Sequence, residues 1–345
     1  MSMPDFSRTR GARPRRFDTA ELGRDLRAAS WDAGAALAVT IGLFVWFYRR
    51  VETGASATVQ IMPMLADADR YWLYWLCQAF GWAGLLWAWI TVMLGLVRSS
   101  SRPGGLRISA ARLEKWHRTT SLTTIGLMFA HALAFFAERV RGNGDGHGAV
   151  GRVFHAFVEV FVPGGYDSGT GRTAILLGLL AFYMAIPLGL AYYYRQATGS
   201  RVWRTLHRFV IVVYVLSVWH TLLYGTSVWF DGWFRTTVWL LQIPVAALLL
   251  IRLLAPARPS ERLRRDRSAS IGFAARAAGR VTVAATVVVL LVVAASGRDG
   301  GRTPGGESAE LTVTQAMIWA GLAALVLVVG VAVHRSWRLA RRPSR

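Results

Sequence analysis

The chain has one cysteine and one lysine among 345 residues, and 19 acidic side chains against 40 basic ones. A single thiol, Cys77, excludes an intramolecular disulfide framework and any multi-cysteine zinc or iron–sulfur centre. It lies within an apolar run, where a packed small thiol is a simpler expectation than a reactive one. Charged residues make up only 17% of the chain, too few for an ordinary soluble domain. The acidic shortfall leaves a net charge of +21. Since Lys115 is the only lysine, the other basic residues are all arginine. A basic chain raises the question of nucleic acid, but here the charge sits in short runs between long apolar segments. That is the pattern of the positive-inside rule, and it argues against nucleic acid as a partner. What the chain has in quantity is hydrophobic surface: 54% of its residues, with fifteen tryptophans suited to membrane interfaces.

Crossing a bilayer takes about 20 apolar residues per helix. Eight segments qualify, at roughly 31–48, 71–97, 116–137, 173–194, 205–225, 236–255, 280–296 and 316–334. Arginine is dense in the N-terminal tail (Arg8 to Arg27), in the even-numbered connections and after the last segment. The intervening connections are poorer in it. Both termini and the even connections are therefore expected on the cytoplasmic side, with membrane lipid as the surrounding partner. No compact apolar region or small-residue cleavage site follows Arg15–Arg16, so the tail reads as retained rather than as an export signal. The stretch from Gly142 to Thr170 is expected outside. Within it, residues 153–161 are too short to span and suited to lie at the interface. Residues 298–314 carry no apolar pattern and read as a solvated loop.

Four of the seven histidines fall inside two of these spans: His117 and His131 on the third, His207 and His220 on the fifth. Ionisable groups at membrane depth are expensive, and each needs a partner. A neutral buried imidazole is satisfied by a metal or a hydrogen-bond acceptor. The spacings of fourteen and thirteen residues separate each pair by about 20 Å along its axis. Both helices run outward from the cytoplasm, so His117 is level with His207 and His131 with His220. Two imidazoles facing each other at one level can ligate a haem iron from both sides, and filled axial positions favour electron transfer. Fourteen residues return to within about 40° of the same helix face, whereas thirteen miss by about 140°. The fifth helix must tighten or bend, or its two histidines must use different rotamers.

These spacings, the run Trp203-Arg204-Thr205-Leu206-His207-Arg208 and the following His220-Thr221-Leu222-Leu223-Tyr224-Gly225-Thr226-Ser227 resemble the ferric reductase-like transmembrane domain. That family includes the membrane domains of NADPH oxidases and ferric reductases, and the haem-binding membrane subunit of the methionine sulfoxide reductase system. The resemblance runs from about Trp31 to Ala255. It implies two b-type haems, with His117 and His207 on the inner and His131 and His220 on the outer. It also sets a contrast: members that use NAD(P)H carry a flavin and nicotinamide module after the sixth helix. Here only Pro256 to Gly279 precede the seventh segment, without a glycine-rich phosphate site.

The expected fold class is an all-α integral membrane protein, a six-helix haem-binding core bundle with two additional C-terminal helices. The corresponding domains are a basic cytoplasmic tail (1–30), the six-helix domain (31–257), a basic linker (258–279) and the two extra helices with their tail (280–345). Arg118 and Arg208 each follow an inner histidine and are candidates for pairing with haem propionates, since arginine binds carboxylates through two parallel hydrogen bonds. Positive-inside anchoring serves equally well for both. Met128, Phe129 and Tyr214 lie between the two histidine levels, and Trp116, Trp203 and Trp219 beside them. His147, His155, Asp145 and Asp167 are external, with irregular spacing for a metal substrate. The expected function is electron transfer from a cytoplasmic flavin reductase or a quinol, with FMN or a quinone as further candidate cofactors. The acceptor would lie outside: ferric iron, oxygen or a partner reductase. Two alternatives are a quinone-linked membrane anchor of a periplasmic oxidoreductase and a haem-free transporter or scaffold.

Overall fold

A computed structural model describes residues 17–100, 108–142, 146–167, 171–230, 232–254, 277–281, 283–285, 287–288 and 314–341. The elements among them are helical, with no strand. Among the described residues, seven helices are long and apolar enough to cross a membrane. In chain order the α-helices are α1 (Thr19–Ala28), α2 (Ser30–Glu52), α3 (Ala57–Ile61), α4 (Trp72–Ser99), α5 (Ala110–Gly142) and α6 (Ala149–Phe161). They continue as α7 (Gly171–Leu190), α8 (Arg195–Thr198), α9 (Ser200–His207), α10 (Val210–Tyr224), α11 (Trp233–Leu240), α12 (Gln242–Leu254) and α13 (Gln315–Arg341).

The apolar runs locate the spans but not their ends. α5 starts six residues before the expected segment and ends five after it, because its termini are polar. Glu114 pairs with Arg98 of α4 at 3.0 Å, and Glu138 with Arg141 at 2.8 Å. Thirty-three residues reach about 50 Å, well past a hydrocarbon core of about 30 Å. α7 stops four residues short of expectation. Pro187 lies in its last turn, where it removes a backbone donor, and the chain leaves the helix at Leu190. The expected segment 280–296 lies mostly outside the described residues, as do the 258–279 linker and the 298–314 loop.

α4 is the hub. Its Trp75, Ala79 and Ala83 are fully buried, packed on α2 and the 226–229 turn on one side and on Leu127 of α5 on another. Small residues let α4 and α5 approach closely, as membrane helices must when apolar side chains gain nothing by leaving lipid. Thr119, Thr120, Thr123 and Thr124 form a buried polar stripe on α5. Each hydroxyl returns its hydrogen bond to a carbonyl three or four residues back. That satisfies the hydroxyl donor of each of these four threonines inside the bundle. α7 lies antiparallel to α10, and α13 packs on both through Ile318 and Leu322.

Part of the expected tail is a structural element. α1 is capped by Asp18 and pinned to the turn after α7, where Asp18 N–H donates to the Tyr193 carbonyl at 3.0 Å. Glu21 accepts from Tyr192 at 2.6 Å, Arg195 at 2.5 Å and Arg118 at 2.8 Å. Burial opposes ionisation of Glu21. The bonds from Tyr192 and Arg195 and the charges of Arg195 and Arg118 outweigh it and lower the carboxyl from 4.5 to about 2. A carboxyl depressed in the folded state contributes stability that is complete above its unfolded value and is lost as pH falls through the folded one. Glu21→Gln should therefore melt below the parent at pH 7, and the gap should close between pH 4.5 and 2. Thermal unfolding in detergent against pH measures this; a gap that persists to pH 2 would refute it.

Candidate functional site

The bundle brings the four membrane histidines together in two pairs. The His117 and His207 ring centres are 5.7 Å apart with planes at 85°; those of His131 and His220 are 6.1 Å apart at 77°. Members of a pair come from different helices, α5 with α9 in one case and α5 with α10 in the other. Since α5 and the α9–α10 segment run in the same direction, the two pairs are stacked along the bundle, about 20 Å apart along α5.

The thirteen-residue spacing is accommodated by a break in the chain. α9 ends at His207 and α10 begins at Val210. Across the gap Arg208 N–H donates to Thr205, Phe209 to Leu206 and Val212 to Phe209, all three residues back, at 3.3, 3.0 and 2.9 Å. Three-residue turns advance about 120° per residue instead of about 100°. The break recovers part of the missing rotation.

Three of the four rings are held by backbone carbonyls. His117 Nδ1 lies 2.9 Å from the Thr91 carbonyl, His131 Nδ1 2.8 Å from the Cys77 carbonyl, and His220 Nδ1 2.7 Å from the Ala174 carbonyl. A carbonyl only accepts, so in each ring Nδ1 carries the proton, and the neutral imidazole keeps its Nε2 lone pair for another partner. The fourth ring differs. His207 Nδ1 is buried near the Leu188 carbonyl without closing a hydrogen bond of normal geometry.

The three bonded rings share a seat. Four residues after each accepting carbonyl stands a glycine: Gly95 after Thr91, Gly81 after Cys77, Gly178 after Ala174. A Cβ on Gly95 or Gly81 would sit 3.0 Å from the imidazole, and one on Gly178 only 2.7 Å from His220 Nδ1. The missing side chain is what admits the ring against the helix. For His207 the equivalent position is Tyr192, not glycine. Sequence reasoning on the histidines missed these seats. Their trace was present, because Gly81 and Gly95 on α4 repeat the fourteen-residue interval of His117 and His131.

The ring-centre separations are of the size that an ion held between two imidazoles would need. Metal–nitrogen bonds of about 2 Å, with each ring centre about 1 Å beyond its nitrogen, would put two imidazole centres on opposite sides of one ion about 6 Å apart. Both observed separations lie close to that value. An open cavity of about 1160 Å³, its solvent-facing mouth included, flanks the His131/His220 pair. Its walls are mostly apolar, with Phe80, Trp82, Phe135 and Phe182 among them. Cys77 lines it as well, its Sγ 3.4 Å from His131 Nδ1.

The remaining candidates are placed as follows. Arg118 is held by α1 and the turn after α7: Nη1 to Glu21 and to the Tyr192 hydroxyl at 2.6 Å, Nη2 to Asp25 at 3.2 Å. A propionate there would share Arg118 with two carboxylates; the buried Arg118 Nε has no hydrogen-bond partner among the described residues. Arg208 is exposed at the α9–α10 break. Met128 lines the cavity, Phe129 faces Phe182, and Tyr214 donates to Gln242 at 2.7 Å. Trp203 lies 5.7 Å from the His207 ring, Trp116 is exposed, and Trp219 packs with the α7–α10 core. His147 and His155 lie together at the His131 end, 5.1 Å between ring centres; Asp145 is outside the described residues.

Residues 80–218 match the family of ferric reductase like transmembrane components. The matched stretch starts within α4, contains His117, His131 and His207, and ends two residues before His220. No curated protein and no solved structure matches the chain. With seven membrane-competent helices among the described residues, the chain is a multi-pass membrane protein whose residues 80–218 are similar to ferric reductase like transmembrane components.

Proposed function

We propose that the protein carries electrons across a cell membrane through two b-type haems, one held by His117 and His207 and the other by His131 and His220. The observation that supports it most is the pairing itself. Two imidazole pairs sit 5.7 and 6.1 Å apart by ring centres, and three of the four rings keep Nε2 available. When bound, the haems supply a one-electron couple at each level. The protein's part is to hold the four imidazoles in two pairs, three of them in a fixed tautomer, and to surround the path with low-dielectric side chains.

Sidedness follows from arginine. The His117 end gathers Arg98, Arg112, Lys115, Arg195, Arg201 and Arg204, so it is the cytoplasmic end in this proposal. Electrons enter there from a flavin or quinol donor and leave at the His131 end to an acceptor outside. α12 runs from Leu241, whose carbonyl accepts from Trp89, toward Leu96 and the His117 end. Gln315, at the start of α13, donates to Arg172 at the opposite end. Both termini are cytoplasmic in the proposed topology if the chain crosses once more between them; the segment expected to do so, 280–296, lies mostly outside the described residues.

The test is a dithionite-reduced minus oxidised spectrum of the purified protein, with haem quantified per chain. Two haems per chain, with sharp Soret and α bands unchanged by carbon monoxide, are expected. A colourless preparation from haem-sufficient cells would overturn the proposal in favour of a haem-free scaffold.

A further inference from the structure

The second histidine cluster lies outside the span. Gly146 adopts φ +67° and Gly148 caps α6 in extended geometry, so the chain ahead of the helix turns back over its first turns. This places His147 against His155, two turns into α6, with ring centres 5.1 Å apart and planes at 53°. Gly151 leaves room beneath, since even an added Cβ would stay 3.5 Å from the His147 Cβ.

Two imidazoles in adjacent positions on one tetrahedral or tetragonal ion, at metal–nitrogen distances of about 2 Å, have ring centres about 4.5–5 Å apart. The spacing therefore suits a shared ion, and it is closer than the 5.7 and 6.1 Å of the membrane pairs. His155 is also oriented. Its Nδ1 lies 3.6 Å from Oε2 of Glu159, a buried carboxylate that Arg139 grips through two bonds at 2.7 and 2.5 Å. A fixed carboxylate beside Nδ1 favours the proton on that nitrogen and directs an incoming ion toward Nε2. This is how metal-binding histidines are commonly supported from behind. The His155 side chain is 44% exposed and His147 is exposed too, so an ion reaches them from solvent.

We propose that His147 and His155 bind one divalent late transition-metal ion at the His131 end of the protein. Imidazole pairs suit Cu²⁺, Ni²⁺ and Zn²⁺ rather than Mg²⁺ or Ca²⁺, with Cu²⁺ bound most tightly. Among the described residues no third His, Cys, Asp or Glu completes the site, so water fills the remaining positions. The location connects the site to the rest of the molecule. Val160, five residues further along α6, lines the cavity beside His131 and His220. The bound ion is thus carried by the helix that walls that cavity, about 7 Å along its axis.

The experiment uses the full chain in detergent, without a histidine tag, titrated with CuCl₂ and separately with ZnCl₂ by calorimetry. One Cu²⁺ per chain is expected, with nitrogen coupling from two imidazoles in its electron paramagnetic resonance spectrum. His147→Ala and His155→Ala should each weaken binding at least about tenfold while leaving haem content unchanged, which separates this site from the membrane pairs. Absence of saturable binding below about 1 mM, or equal binding by the doubly substituted protein, would overturn the proposal.

Discussion

Replacing His131 and His220 together by alanine is expected to leave a protein that binds one haem instead of two. The two pairs use separate seats, Cys77/Gly81 and Ala174/Gly178 at one level and Thr91/Gly95 at the other. Emptying one level removes no hydrogen bond from the other. The α-band amplitude per chain should fall by about half, and the remaining haem should keep the potential of its own level. His117→Ala with His207→Ala should give the complementary half. Redox titration of the two variants then assigns a potential to each level without deconvolution. Loss of both haems from both variants, or of neither from either, would show that the levels are not independent iron sites. Thermal unfolding of the haem-stripped proteins separates a lost ligand from a lost fold.

The second large effect is expected from a single methyl group. In Gly178→Ala the new Cβ lies 2.7 Å from His220 Nδ1 and 2.9 Å from Cε1. Real carbon atoms do not approach so closely, and the ring is tethered to the same helix through the Ala174 carbonyl. The imidazole must move, which breaks that hydrogen bond or tilts Nε2 off its axis. Overpacking of this kind costs about 1–3 kcal/mol. The ligand geometry should change with it: the His131-level haem should show shifted paramagnetic resonance g-values or be lost. Gly95→Ala, at 3.0 Å from His117, should act more weakly and on the other level. Gly126→Ala is the control. It lies on α5 with nothing within 4 Å of the added atom, and as a helical Gly→Ala change it should be neutral or stabilising. Equal spectra for Gly178→Ala and Gly126→Ala would remove the close-seat account.

Much of this architecture is written in local pattern. Apolar runs marked the spans that became α2, α4, α5, α7, the α9–α10 pair, the α11–α12 pair and α13, because a helix in lipid must be apolar over about 20 residues whatever its neighbours. Helix ends were less legible. The polar termini of α5 and the proline-limited end of α7 depend on partners such as Arg98 and on a missing backbone donor rather than on hydropathy. α1 was hidden inside an arginine-rich tail. Its helix is fixed by Glu21 and Asp25 meeting Arg118, Tyr192 and Tyr193, residues distant in the chain. The same holds for His147 and His155, whose irregular spacing concealed that the turn at Gly146 lays one over the other.

The sequence by itself determined that this is a multi-pass helical membrane protein and that four histidines share two depths, because hydrophobic length and a fixed rise per residue act along a single helix. Only the tertiary structure decided how those histidines are held. The carbonyls of Cys77, Thr91 and Ala174 and the bare backbones of Gly81, Gly95 and Gly178 lie on α4 and α7, helices that bear no histidine. A carbonyl is present in every residue and a glycine is silent about what fills its place, so both became readable only once the helices were packed.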